Sequence, residues 1–220
     1  MNKYNCVLFD LDGTLMDTTP GVLASVHDML DELKISSLSD ETIRAFVGPP
    51  MKDSLMKHCG FNAADAQSGV VLFRKIYMER HLLNATVYDG IFELLDALLD
   101  KGVSMAVASN KGHAHVVKIL EHCGIAKYCK CIKGANPENT MDKSDIVNYC
   151  MEKLGIKNLS QAVLVGDSEY DAIGASTSGI DFIGVTYGFG FRDTAEIQLL
   201  DHVGAVATVK ELHKLLIKHL

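Results

Sequence analysis

The 220-residue chain, 48% hydrophobic and 22% charged, is long enough for one good-sized core or for a core with a small insertion, and its composition excludes disorder. Its formal charge of -7 argues against a nucleic-acid or anionic-membrane surface, where a basic patch is required, so neither partner is expected. No stretch has the length of a membrane span, Met1 to Tyr4 lead into a strand without a secretory leader, and the six cysteines do not follow a disulfide-scaffold spacing, which together predict a cytoplasmic protein with reduced core thiols.

The first element is a strand over Asn5 to Phe9, where Cys6, Val7, Leu8 and Phe9 leave no polar face. Such strands belong to parallel sheets, whose ligands bind beyond the strands' carboxyl ends. Asp10, Asp12, Gly13 and Thr14 fall there. Two acids two residues apart can divide acid and base labour. The same D-x-D-G-T run also fits a turn in which Asp accepts backbone hydrogen bonds. A calcium loop is disfavoured, because Leu15, Met16 and Thr19 interrupt the alternating oxygen ligands it needs.

The pattern then turns helical until about residue 83. Pro20 to Lys34 places Val22, Val26, Met29, Leu30 and Leu33 on one stripe. Ser39-Asp40-Glu41 opens a second helix with Ile43, Phe46 and Val47 as its apolar face, and Gly48-Pro49-Pro50 stops it. Met51 to Cys59 and Ala63 to Leu82 read as two more. Arg44, Lys52, Arg74, Lys75 and Arg80 are this segment's possible substrate handles, most of them expected on solvated faces. Met16 to Thr19 and Asn84 to Asp89 are its candidate hinges.

From Val87 strands and helices alternate. Helices are predicted at 90–101, 112–123, 143–154, 170–178, from 193 and at 209–220, with strands at 103–108, 131–133, 162–165 and 182–186. Repeated strand-helix units imply a parallel sheet covered on both faces. The strand ending at Ala108 delivers Ser109, Asn110 and Lys111, whose first two residues suit phosphate oxygens or plain helix capping. Lys143 opens a helix and is a candidate phosphate partner, with Lys133 as rival. The strand Val163-Leu164-Val165 ends in Gly166-Asp167-Ser168-Glu169-Tyr170-Asp171, repeating the logic of the first strand. Acids crowded this way call for a hard divalent cation.

His113 and His115 point to different helix faces, and Cys129-Lys130-Cys131 lacks the paired spacing of a zinc site. Gly184 to Gly190 fails as a dinucleotide fingerprint, and no Walker A sequence exists.

Phe9-Asp10-Leu11-Asp12-Gly13-Thr14-Leu15, followed by Asp17, resembles the first motif of the haloacid dehalogenase superfamily, in its phosphatase branch. Ser109-Asn110 falls at the family's second motif, Lys143 at its third and Gly166-Asp167 to Asp171 at its fourth, although Ser144 stands where many relatives have proline. The whole chain is similar to phosphoglycolate-phosphatase-like proteins and related 5'-nucleotidases.

The resemblance implies an α/β fold, a doubly wound parallel-sheet, Rossmann-like core over 1–16 and 86–220, with an inserted all-α helical-bundle cap over 17–85. It implies Mg2+ as cofactor, held by the carboxylates of Asp10 and Asp167, the backbone carbonyl of Asp12, and Asp171 directly or through water. Asp10 would be the nucleophile, Asp12 the proton donor and Lys143 the neutralising cation, with Gly13, Thr14, Ser109, Asn110 and Lys143 binding substrate. The expected partner is a small phosphorylated metabolite, and the expected state a monomer or homodimer. An acid at Asp12 disfavours dehalogenases and phosphonate-cleaving relatives. A phosphosugar mutase stays open, and behind it a phosphoryl-accepting signalling or binding protein without turnover.

Overall fold

The computed structural model describes residues 3–35, 38–48, 50–138 and 140–220. Met1, Asn2 and Pro49, to which the leader and helix-stop readings extend, lie outside the described residues. The chain divides into two compact units, Met1–Asp17 with Val87–Leu220 and, separately, Thr18–Thr86.

The first unit is built on β1 (Cys6–Phe9), every residue of which is buried. Short β2 (Met16–Asp17) follows the acidic turn and pairs with β3 (Thr86–Val87) in a two-stranded sheet of its own. The chain then alternates through α5 (Ile91–Asp100), β4 (Ser104–Gly112), α6 (His113–Cys123), β5 (Cys131–Ala135), α7 (Lys143–Lys153) and β6 (Ala162–Gly166). It ends with α8 (Glu169–Ser178), β7 (Asp181–Val185), α9 (Thr194–Ile197), β8 (Gly204–Val206) and α10 (Val209–Lys218). The six-stranded sheet has the order β5-β4-β1-β6-β7-β8, and its pairings are parallel.

Alternation along the strands divides the side chains between two faces. Cys6, Leu8, Ala106, Ala108, Ala162, Leu164 and Phe182 pack in one cluster with Ile146, Val147, Cys150 and Met151 of α7, Ala172 and Ala175 of α8, and Ile197 of α9. The remaining helices, α5, α6 and α10, contact the sheet at β4, β5 and β8. The two central strands, β1 and β6, carry no polar side chain because both faces are covered.

β4 departs from expectation. It stays extended past Ala108, with a register shift between Ser109 and Gly112, so that Gly112 pairs with Ala135 and α6 starts one residue later. Such irregularities re-aim the side chains they carry. β2, β3 and β8 escape sequence reading because two or three residues are too few to show a period.

The second unit is helical: α1 (Thr19–Glu32), α2 (Asp40–Arg44), α3 (Met51–Cys59) and α4 (Ala63–Ile76). Val26, Met29, Leu30, Ile43, Phe46, Leu55, Ala66, Val70 and Ile76 form its core. Instead of continuing to Leu82, α4 gives way to a wider π-helical turn, Tyr77–His81. There Arg80 bonds Asp28 at 3.0 Å and Glu32 at 2.9 Å, and His81 bonds Asp28 at 3.0 Å. Arg80, a candidate substrate handle, is therefore paired within its own unit. No described helix is long and apolar enough to cross a membrane.

Candidate active site

Parallel strands bring their carboxyl ends to one edge of the sheet. Asp10 leaves β1 there, its amide donating to the Val165 carbonyl of β6 at 2.9 Å, which places the two acidic loops side by side. Gly13, at φ +80°, turns the chain sharply. A Cβ on Gly13 would lie only 2.0 Å from Asp167 Oδ2, so the approach of the two loops requires glycine at this position.

Oxygens of Asp10, Asp167 and Asp171 lie within 4.8 Å of one another, and all three residues are buried. Lys143, 5% exposed, reaches this cluster from the first turn of α7. Its Nζ donates to Asp10 Oδ1 at 2.6 Å and meets Asp171 Oδ1 at 2.5 Å. The other oxygen of Asp171 accepts from the Ser168 amide at 3.1 Å and hydroxyl at 2.6 Å, closing the capping box of α8. Both oxygens of Asp171 are thus engaged. Gly174 makes room for this arrangement, since a Cβ there would stand 2.4 Å from Lys143 Cγ. Lys133, the rival cation, lies over the Tyr149 ring instead, 4.7 Å from its centroid.

Asp167 is held by a segment whose role sequence reading missed. The amides of Phe189 and Gly190 donate to its Oδ2 at 3.0 and 2.9 Å, and the Phe191 amide donates to its carbonyl at 2.7 Å. A Cβ at Gly188 would meet Gly13 O at 2.2 Å, and one at Gly190 would meet Asp167 O at the same distance. The glycine-rich run after β7 is therefore a wrap around an acid; the run was visible in the sequence, but its target was not.

Asp12 is paired with Lys111 at 2.7 Å, with side chains 22% and 14% exposed respectively. This cation, too, was visible only as the residue after Ser109-Asn110. Ser109 is buried, and its Oγ accepts from the Lys111 amide at 3.3 Å; Asn110 is exposed. Thr14 is fully buried, and its Oγ1 has no hydrogen-bond partner among the described residues.

The electrostatics follow from crowding. Burial pushes the Asp10 carboxyl well up, against Lys143, and the carboxylates of Asp171, Asp12 and Asp167 push it further. Burial, then Asp171, raise Asp167 to about 7 in spite of the Gly190 and Phe189 amides. Burial alone would lower Lys143, but Asp10 and Asp171 outweigh it and hold the ammonium charged. Three buried carboxylates around one ammonium leave negative charge in excess. A hard divalent cation fits this donor set, because carboxylate oxygens are the ligands Mg2+ accepts and its charge removes the repulsion. The orphaned Thr14 hydroxyl fits an anionic oxygen as its missing partner.

The haloacid dehalogenase-like hydrolase family matches residues 7–185, a span that includes both acidic loops, Ser109 to Lys111 and Lys143, and ends before the wrap at Gly188 to Phe191. A 5'-nucleotidase of Pseudomonas aeruginosa is 32% identical over 216 residues, covering 96% of this chain and 97% of its own length. Tyrosine-protein kinase PtkA of Mycobacterium tuberculosis is 32% identical over 212 residues, covering 96% of this chain and 72% of its own length. The crystal structure of a candidate phosphatase from Clostridium difficile superposes with a TM-score of 0.90 at 31% identity, covering 98% of this chain and 100% of its own. With the sheet order, the helical insertion and a family match across both acidic loops, the chain belongs to the haloacid dehalogenase-like hydrolase family.

Proposed function

We propose that the protein is a phosphatase that hydrolyses a small phosphate monoester, of the phosphoglycolate or nucleoside 5'-monophosphate kind, through an aspartyl-phosphate on Asp10. The observation that carries this reading is the buried cluster of Asp10, Asp167 and Asp171 with Lys143 bridging two of its members. Hydrolysis of such esters is among the slowest uncatalysed reactions, with enhancements up to ~10²¹ required, so charge must be stabilised before chemistry begins.

In this reading the Asp10 carboxylate attacks phosphorus in line, and the bond from phosphorus to the ester oxygen breaks as the acyl-phosphate bond forms. Asp12 gives a proton to the departing oxygen. It then takes one from the water that attacks phosphorus, which releases inorganic phosphate and restores Asp10. Lys143, the Thr14 and Ser109 hydroxyls and Asn110 serve as donors to the phosphoryl oxygens, while Gly13 keeps the loop backbone close to them. Mg2+ would be held by Asp10 and Asp167, the Asp12 carbonyl and, through water, Asp171, where it supplies charge neutralisation for nucleophile and phosphate. We assign substrate choice to the helical unit, with residues 16–19 and 84–89 as its hinges. All six cysteines are free, which supports a reducing, cytoplasmic setting.

A second reading keeps the Asp10 intermediate but hands the phosphoryl group to an acceptor hydroxyl instead of water. The relative named as a tyrosine-protein kinase favours it. Turnover of p-nitrophenyl phosphate with Mg2+ and with EDTA, in the presence of a tyrosine peptide or a sugar phosphate, separates the two. Free phosphate as the product supports hydrolysis, and a phosphorylated acceptor supports transfer. A stable phospho-Asp10 without turnover would contradict both.

A further inference from the structure

The irregular end of β4 gives Lys111 a position that hydrolysis alone does not require. Its register shift carries Lys111 away from the sheet's regular course, and Nζ reaches Asp12 Oδ1 at 2.7 Å. Both side chains are mostly withdrawn from water, so their interaction is weakly screened. Lys143, by contrast, stands on the phosphoryl side, committed to Asp10 and Asp171.

Asp12 is the group that meets the leaving oxygen, so whatever touches Asp12 faces the part of the substrate beyond the scissile bond. A hydrogen bond from Asp12 to that oxygen, added to the Lys111 contact, puts the ammonium on the order of 5 Å from the ester oxygen. A carboxylate attached one carbon beyond the ester oxygen spans that distance. As Asp12 turns to the departing oxygen, the place its own oxygen occupied beside Lys111 opens to an anion of the same kind.

We propose that Lys111 is a specificity-determining residue, selecting phosphate monoesters whose leaving group bears a carboxylate close to the ester oxygen. This rests on the phosphatase reading and on Asp12 as proton donor. A lysine suits the task because its ammonium is a point charge on a flexible stem, able to follow either partner. Sites built to pair a polar group reject the analogue that lacks it far more strongly than apolar pockets reject a missing methylene.

The test measures kcat/KM with saturating Mg2+ on 2-phosphoglycolate and on its neutral counterpart, 2-hydroxyethyl phosphate, with p-nitrophenyl phosphate alongside, for the parent, Lys111→Met and Lys111→Arg. The parent is expected to favour the acid ester by ~10-fold or more, in line with discrimination by a paired polar group. Lys111→Met should bring that ratio close to one, chiefly through a higher KM for the acid ester, and Lys111→Arg should keep part of it. The ratio is measured within each preparation, so it does not depend on the fraction folded. Equal losses on both esters in Lys111→Met would overturn the inference, leaving Lys111 only the task of holding Asp12. A parent that turns over p-nitrophenyl phosphate but has no preference between the two esters would overturn it while the phosphatase reading stands. A parent inactive on all three would overturn that reading and this inference with it.

Discussion

Lys143 shows most directly how single side chains carry this site, because its buried ammonium is what holds Asp10 and Asp171 together. Breaking a buried ion pair by removing one member costs about 3–5 kcal/mol, since the other charge stays behind without compensation. Lys143→Met is therefore expected to lower metal-free stability by about 3 kcal/mol and turnover by roughly 100-fold or more. Urea unfolding in EDTA and p-nitrophenyl phosphate kinetics with Mg2+ check the two halves, and unchanged stability would contradict the pairing. Asp12 calls for a different measurement. Without its proton, poorly activated alkyl esters should slow far more than p-nitrophenyl phosphate, on the order of 100-fold more. Equal losses for Asp12→Asn on both substrate types would remove it from proton donation. At this scale the acids were legible in the sequence, since each follows an apolar strand. Lys111 was not, because only the irregular course of β4 brings it to Asp12.

Among the elements, α8 does two jobs with one residue. Asp171 closes the capping box of its first turn through Oδ2 and steadies Lys143 through Oδ1. Replacing it with Asn keeps an acceptor for Ser168 but removes the charge facing Lys143, whereas Ala removes both. Asp171→Ala should thus be less stable than Asp171→Asn by about 1 kcal/mol, the worth of a cap, while both lose activity. Equal thermal midpoints for the two variants would show that the cap contributes nothing. The amphipathic helices were readable from their stripes, and most observed ends fall close to those expected, but α2 stops at Arg44, so that Phe46 and Val47 lie in the turn after it, their amides donating to the Ile43 and Arg44 carbonyls. Two departures have local causes: α4 opens into a π-helical turn where Arg80 and His81 find Asp28 and Glu32, and the shortest strands have no period to read.

The whole molecule carries a formal charge of -7, and its cluster of buried acids is expected to make stability respond to protons and cations. Asp167 is raised from 3.8 to about 7, so without a cation the folded state binds this proton more tightly than the unfolded chain does. The stability it contributes is full below the unfolded value and is lost as pH rises through about 7. In EDTA, the parent should therefore lose stability relative to Asp167→Asn between pH 4 and pH 7. Mg2+ should reverse the order at neutral pH, adding about 2.7 kcal/mol to the parent at a hundred times its dissociation constant. Thermal unfolding of the two proteins at both pH values, with and without Mg2+, checks this. A parent that Mg2+ does not stabilise would contradict the acids' assigned role.

By itself the sequence determined the layered α/β core, the helical insertion and the acidic loops at the carboxyl ends of the strands. These depend on local patterns: fully apolar strands covered on both faces, helical stripes, and acids where the apolar run stops. Only the tertiary structure decided which cation serves which acid. Lys143 meets Asp10 across 133 positions and Lys111 meets Asp12 across 99, while the glycines after β7 close around Asp167. Those meetings follow from the strand order β5-β4-β1-β6-β7-β8 and from one register shift in β4, neither of which leaves a periodic trace along the chain.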